Sequence, residues 1–389
     1  MSAARRKLVL IDGSSYLYRA FHALPPLTNS RGEPTGAVLG VLNMLQKLLK
    51  EEGPELVAVV FDAPGKTFRD ELFEQYKANR PPMPDELRSQ VQPLLDAVAA
   101  LGLPLLRISG VEADDVIGTL ARRAADTGLD VLISTGDKDM AQLVDDHVTL
   151  VNTMTGTVLD REGVKTKFDV YPEQIVDYLA LVGDSSDNIP GVPKVGPKTA
   201  AKWLNEFGTV RSLLEHAEQV AGKVGESLRE NLPQLELSQR LATINCALEL
   251  DKSPEELVRG APDVPALRDL YTRLELRLLL KQLGGEEAGQ GPAETPAVTP
   301  GSGPEPSAAR ANGRYATVLT EGDLQHWLKR LEAADLFAFD TETTSLNYME
   351  AEIVGVSFSI EPGEAAYVPL GHDYAGAPAQ LDRATTLAA

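Results

Sequence analysis

Acidic residues recur in five short clusters over the first half of this chain, most of them where an apolar, strand-like run gives out. They are Leu-Val-Leu-Ile-Asp12, Val-Val-Phe-Asp62, Gly110-Val-Glu112-Ala-Asp114-Asp115, Thr135-Gly-Asp137-Lys-Asp139 and Gly183-Asp184-Ser-Ser-Asp187-Asn-Ile-Pro190. In an open α/β sheet the carboxyl ends of the strands face one crevice, so the clusters converge there. Unless protonated or spread apart, the carboxylates of Asp12, Asp62, Glu112, Asp114, Asp115, Asp137, Asp139, Asp184 and Asp187 need cations between them, and hard oxygen ligands select Mg²⁺ or Mn²⁺. Two such ions roughly 4 Å apart activate a water and steady a leaving oxygen in one in-line displacement. The pattern therefore implies metal-dependent phosphoryl transfer. Any one strand-end Asp, taken alone, reads as a helix cap or turn former; the recurrence carries the metal reading. Asp70, Glu71, Glu74, Asp145 and Asp146 read as ordinary solvated acids.

The elements that must position these groups follow from periodicity. From Lys7 to about Asn152, short β-branched or Leu-rich runs (Leu8–Ile11, Leu56–Phe61, Leu103–Ile108, Val131–Ser134, Val148–Val151) alternate with helical patterns such as Ala37–Glu51 and Ala113–Ala125. The alternation predicts an α/β fold with a mostly parallel central sheet over residues 1–172. Residues 173–283 read as helical, with Glu173–Val182, Lys198–Phe207, Val210–Glu218, Glu226–Asn231 and Glu236–Ala247 as elements. Residues 284–313, rich in Gly, Pro, Ala, Glu and Ser, read as a linker that cannot bury a core. A second α/β unit over 314–389 is expected, with strands Ala316–Leu319, Leu336–Asp340, Ile353–Ile360 and Ala366–Leu370 and a helix Gly322–Ala333. It is expected to stop before its core closes and to form a poorly ordered or protease-sensitive tail.

Two stretches point to nucleic acid. Residues 65–90 interleave cations and aromatics, including Lys66, Phe68, Arg69, Phe73, Tyr76, Lys77 and Arg80, in an insert too long for an ordinary connection. Lys and Arg grip phosphates while an aromatic ring stacks on an unpaired base; an amphipathic helix with a solvated charged face is the alternative. Residues Gly191, Lys194, Gly196, Lys198, Thr199 and Lys202 form a Gly-rich turn opening a helix, suited to backbone phosphate, with a plain Gly/Pro hairpin as the alternative. Arg19, one helical turn beyond Asp12's turn, either contacts phosphate or is solvated.

Composition narrows the rest. With 37 Lys+Arg against 57 Asp+Glu the formal net charge is −20, which argues against indiscriminate polyanion binding while leaving a local basic face. Cys246 is the single cysteine, so an internal disulfide is ruled out and a reducing compartment is expected. The run Leu8–Ile11 is too short for a signal h-region, and a cytoplasmic location without membrane contact is expected. A Mg²⁺ phosphatase of small phosphoesters and a non-catalytic junction-binding module are the rival readings.

The five motifs and the following helix-hairpin-helix resemble the 5′ nuclease (flap endonuclease) domain of bacterial DNA polymerase I, over residues 7–283. The resemblance implies a PIN-like sheet, a helical arch over about 65–90, and a helix-hairpin-helix on duplex backbone that can carry a K⁺. It implies that the nine acidic residues hold Mg²⁺, directly or through water, with Asp115 among the catalytic groups. Lys77 and Arg80 would steer the scissile phosphate, Tyr76 would lie near a base, and Arg19 and Arg69 would contact phosphate. Lys194 departs from the glycine often found at its hairpin position. Phe337-Ala-Phe-Asp340-Thr-Glu342 resembles the first motif of the same polymerase's 3′–5′ proofreading exonuclease, an RNase H-like unit, with Asp340 and Glu342 as vestigial metal ligands. The later motifs are absent, so neither proofreading nor polymerisation is expected of these residues, and the chain looks like an N-terminal portion of a longer enzyme or a truncated gene product. The implied partners are branched or nicked duplexes with a 5′ flap and RNA primer–DNA junctions in replication and repair, bound by a monomer in the bacterial nucleoid.

Overall fold

The computed structural model describes residues 6–286, 314–334, 336–344, 352–361, 363–372 and 379–387. Contacts divide the chain into two units, Met1–Pro292 and Ala293–Ala389; most of the expected linker lies outside the described residues.

In the first unit, β1 (Lys7–Asp12), β2 (Leu56–Val60), β3 (Leu105–Leu106), β4 (Asp130–Ser134), β5 (Val148–Asn152) and β6 (Thr157–Leu159) form one sheet in the order β3-β2-β1-β4-β5-β6. β1 to β5 are parallel and β6 is antiparallel to β5. The apolar runs are continuous because both faces are covered. Leu8 and Leu10 of β1, with Leu56, Ala58 and Val60 of β2, pack towards the helix Ala113–Asp126 and the helical region behind it. Val9, Ile11, Val57 and Val59 pack on the other face against the helices Gly13–Ala23, Gly36–Glu52 and Asp85–Ala100. Each fully buried Val, Leu or Ile contributes roughly 1.5–3 kcal/mol. The strand order reverses direction between β1 and β4, and a crevice opens at their carboxyl ends.

Three expectations are corrected. β3 is two residues long, not six. The 65–90 insert is not a continuous helical arch: a short helix Phe68–Leu72 is followed by turns, and helix resumes only at Asp85, after Pro81, Pro82 and Pro84. The expected helix Glu236–Ala247 runs instead from Leu232 to Ala242. Beyond it the backbone N–H groups of Ile244 and Asn245 donate to the side chains of Gln142 and Asp115, tertiary partners that replace the helical ladder. The helices Ile175–Val182, Pro197–Phe207, Val210–Glu215 and Gly222–Glu230 complete the site-bearing part of the helical region.

In the second unit, β7 (Arg314–Thr317), β8 (Ala338–Thr343), β9 (Ile353–Glu361) and β10 (Glu364–Pro369) form a sheet in the order β7-β10-β9-β8. The helix Glu321–Glu332 covers it through Leu324 and Trp327, which pack with Val356, Phe358, Ala366 and Val368. Every residue of β8 is exposed on both faces. No helix among the described residues is long and apolar enough to cross a membrane.

Candidate active site

Asp12 closes β1 and caps the next helix, accepting from the Ser15 N–H at 2.8 Å and from Thr135 Oγ1 at 2.7 Å. A Cβ on Gly13 would lie 2.6 Å from the Phe61 ring, so only glycine lets the chain turn into that helix. Asp62 follows β2; its carboxylate accepts from the Ala113 N–H at 2.9 Å, which ties the second acidic segment to the third. Glu112 caps the helix Ala113–Asp126 and Asp114 lies in its first turn, where the macrodipole favours negative charge. After β4, the Asp139 N–H donates to Asp137 at 2.8 Å. Asp184 and Asp187 sit in a loop pinned by the reciprocal pair Asp184–Ile189 at 2.9 and 2.8 Å. That loop closes on two glycines: a Cβ on Gly183 would meet the Gly191 nitrogen at 2.5 Å, and one on Gly191 the Val182 oxygen at 2.3 Å.

These segments meet around one crevice, and their charges act on one another. Burial pushes the Asp12 carboxyl up to about 7, reinforced by Asp137 and Asp62 against the two hydrogen bonds. Burial, then Asp137 and Asp184, pushes Asp139 up to about 8. Asp114 is raised well above the carboxylate range by burial and then by Asp137, Asp12, Asp62 and Glu112. Burial would raise Asp184 too, but the Lys138 ammonium and the Ser186 N–H hold it below the usual value.

Cations of the chain itself occupy part of the crevice. Lys77 Nζ is 2.9 Å from Glu112 and 3.6 Å from Asp187, Arg80 pairs with Asp187, and Lys138 is 2.9 Å from Asp184. The Lys77 N–H also donates to the Asp187 carbonyl at 2.9 Å, and Arg80 Nε to Ser186 O at 3.1 Å, which seats residues 75–80 on the 184–188 loop. Lys77 has φ +54°, a left-handed backbone imposed by that seat.

The fit to divalent ions can be judged from the donors. Among the described residues no group of three or more His, Cys, Asp or Glu is gathered tightly enough to hold an ion. The donor set is nonetheless all oxygen, Asp139 Oδ1 is buried with no hydrogen-bond partner, and the carboxyls of Asp12, Asp114 and Asp139 are raised by burial first and then by neighbouring carboxylates. The residues fit hard cations, with Lys77, Arg80 and Lys138 standing as counter-ions in this arrangement.

Three expected roles are corrected. Asp115 does not open onto the crevice: it is fully buried, and its two oxygens accept from Arg69 Nη1 and Nη2 at 2.8 Å each, from the Glu112 N–H at 3.2 Å and from the Asn245 N–H at 2.9 Å. Arg69 cannot reach phosphate, because it is 2% exposed and also donates to the carbonyls of Leu241 and Thr243. Tyr76 is 5% exposed, too enclosed to stack on a base; its hydroxyl donates to Glu112 at 3.2 Å and Asp187 at 3.0 Å.

The other expected contacts are placed as follows. Arg19 is half-buried and donates to Asn152 at 2.5 Å, while its Nη1 has no hydrogen-bond partner. Lys194, Lys198 and Lys202 are exposed at the turn and start of the helix Pro197–Phe207, which Gly196 caps; Thr199 lies in its first turn. Lys194 has φ +69°, the conformation that favours glycine at that position. Asp340 and Glu342 lie on the exposed β8 of the second unit. Sequence reasoning missed Thr135, Lys138, Ser14, whose hydroxyl accepts from the Asp62 N–H at 3.0 Å, and Arg107, which donates to the Asp62 carbonyl at 3.0 Å. Thr135 and Lys138 had a signal in the Thr-Gly-Asp-Lys-Asp motif and Ser14 in Asp12-Gly-Ser-Ser, whereas Arg107 had none. A cleft of about 690 Å³ beside the carboxylates is lined by Tyr18, Asp62, Lys77, Arg80, Arg88 and Arg107.

The chain is similar to known proteins in sequence and in fold. The family model for the 5′-3′ exonuclease N-terminal resolvase-like domain matches residues 7–169, and that for the 5′-3′ exonuclease C-terminal SAM fold matches 170–265. A 3′-5′ exonuclease model matches 315–385. The chain is 56% identical to DNA polymerase I of Pseudomonas aeruginosa over 98% of its own length and 42% of the polymerase. It is 42% identical to a 5′-3′ exonuclease of Aquifex aeolicus over 72% of its own length and 95% of that protein. In fold it is similar to a zinc-bound T5 5′-exonuclease, with TM-score 0.53 and 21% identity, covering 72% of this chain and 98% of that one. A bacteriophage T5 flap endonuclease in a pseudo-enzyme-product complex with DNA and metal ions has TM-score 0.52 and 23% identity, with the same coverage.

Proposed function

The chain belongs to the 5′-3′ exonuclease family, and from that premise we propose that it hydrolyses DNA, and RNA primers on DNA, near the junction of duplex and displaced 5′ strand, using Mg²⁺ or Mn²⁺. The observation that carries this reading is the crevice where carboxylates of five separate segments meet the cations of the 75–80 turn. Asp12, Asp62, Glu112, Asp114, Asp137, Asp139, Asp184 and Asp187 would hold the ions, directly or through water. When bound, divalent ions supply the Lewis acidity that activates a water and steadies the leaving 3′ oxygen. Lys77 and Arg80, exchanged from carboxylate to phosphate, hold the scissile group in line, and Arg19 supports the neighbouring phosphate. The exposed lysines of the hairpin grip duplex backbone without reading sequence, and the same reading places a K⁺ at that hairpin. Products carry a 5′-phosphate and a 3′-hydroxyl. The chain spans 42% of the length of the Pseudomonas polymerase, and a role beside a polymerase in primer removal and repair, by a monomer in the cytoplasm, belongs to this proposal.

The test is cleavage of a 5′-labelled flap duplex in Mg²⁺, with EDTA and Asp139→Asn as controls and products sized to the nucleotide. Junction cutting that both controls abolish is expected; an intact flap that is still bound would leave a junction-binding protein, and turnover of nitrophenyl phosphate alone would leave a phosphatase.

A further inference from the structure

Arg69 and Asp115 form a buried fork-to-fork pair at 2.8 Å on each arm, and each partner is also bonded to backbone of another segment. Arg69, on the helix Phe68–Leu72, donates to the carbonyls of Leu241 and Thr243 at 2.9 and 2.8 Å, where the helical region's last site-facing helix ends. Asp115 accepts from the Glu112 N–H at 3.2 Å and the Asn245 N–H at 2.9 Å, so it fixes both the first turn of the carboxylate-bearing helix and the strand of chain beyond Ala242. Arg69 Nη1 lies 3.7 Å from the Glu112 carboxylate, which itself receives Lys77 and Tyr76. One side-chain pair thus joins the root of the 65–90 insert, the helix that presents Glu112 and Asp114, and the end of the helical region.

We infer that Arg69 and Asp115 are positioning residues for the nuclease reaction: they set the Glu112 and Asp114 carboxylates, and with them the divalent-ion site and the seat of Lys77, without touching ion or phosphate. Groups that orient metal ligands from behind change ion affinity or activity by about 10–100-fold when removed. Bidentate geometry makes the requirement specific to a guanidinium, which a lysine does not satisfy. The inference rests on the nuclease reading proposed above.

The experiment compares the full-length wild type with Asp115→Asn, Arg69→Ala and Arg69→Lys, each checked for folding by circular dichroism and thermal melting. Calorimetric titration with Mn²⁺, in the absence of DNA, gives ion number and affinity, and flap cleavage is measured on the same samples. Each variant is expected to bind as many ions as wild type but ten-fold or more weakly, and millimolar methylguanidinium is expected to restore affinity and cleavage to Arg69→Ala but not to Arg69→Lys. If Arg69→Ala does not fold, Asp115→Asn, which keeps an oxygen for a backbone N–H, and Arg69→Lys decide the matter. Loss of one ion from the Asp115→Asn stoichiometry would overturn the inference by making Asp115 a direct ligand. Unchanged Mn²⁺ affinity with weakened binding of flap DNA in Ca²⁺ would overturn it by returning Arg69 to the phosphate. Wild type that neither binds Mn²⁺ nor cuts flaps would instead defeat the nuclease reading itself.

Discussion

At the scale of the residue, the crevice is defined by charge that the chain cannot fully compensate. Lys77, Arg80 and Lys138 pair with Glu112, Asp187 and Asp184, while Asp12, Asp114 and Asp139 keep raised carboxyls. A carboxyl whose folded pKa is raised holds its proton more tightly in the native state than in the unfolded chain, so its stabilisation is complete below about pH 4 and is lost as pH rises towards the folded value. With Asp12 at about 7 and Asp139 at about 8, the ion-free protein is expected to lose stability as pH rises from 5 to 8, the Asp12 contribution ending near 7. Thermal melting in EDTA at pH 5.5 and 8 checks this, with the lower Tm expected at pH 8 and recovery on adding Mg²⁺; equal Tm values would show that these carboxyls titrate normally. Lys77→Ala is expected to lower kcat about 100-fold, the usual effect of removing one preorganised charge donor, with KM changed less. A rise in KM at constant kcat would make Lys77 a binding contact only.

At the scale of the element, the 75–80 turn and the hairpin at 191–202 do different work. The turn is seated on the 184–188 loop through Lys77 N–H to Asp187 O, Asn79 to Ser185 O and Arg80 to Ser186 O, together with ion pairs to the same carboxylates that would hold ions. Divalent ions compete with those pairs, so amide hydrogen exchange over residues 74–82 is expected to quicken on adding Ca²⁺ without DNA; slower exchange would mean that ions tighten the seat. The hairpin presents Lys194, Lys198 and Lys202 without a carboxylate among its own residues. Removing Lys198 and Lys202 together is expected to weaken duplex binding across sequences and to flatten the slope of log K against log salt by about 2, measured by fluorescence anisotropy. The sequence showed the hairpin, the alternation of strands and helices, and the acidic turns, because each is a local pattern. It did not show that the first helix of the 65–90 insert ends at Leu72 and that residues 75–80 fold down onto the 184–188 loop, since that seat depends on partners more than 100 residues away.

At the scale of the whole molecule, two units differ in how well they bury themselves. The first has continuous cores on both faces of its sheet, whereas among the described residues of the second the helix Glu321–Glu332 packs on the sheet and β8, including Phe339, is exposed. A protein ending at residue 286 is therefore expected to cut flaps at the rate of the full chain, and the second unit to melt first in calorimetry; loss of cleavage in the shorter protein would show that 314–389 contributes to the site. The sequence by itself determined the fold class, the five acidic turns and the family they belong to, because period, capping and motif spacing are written along the chain. Only the tertiary structure decided which charged groups face the crevice and which hold it together. Asp114 and Asp115 are neighbours in one motif, yet one helical step turns Asp114 towards Asp12 and Asp137 and Asp115 into the core against Arg69. Arg69 and Arg80 look alike in the sequence, but the first is sealed beneath the insert and the second reaches the carboxylates. Burial and partner choice arise from the meeting of distant segments, which no local pattern encodes.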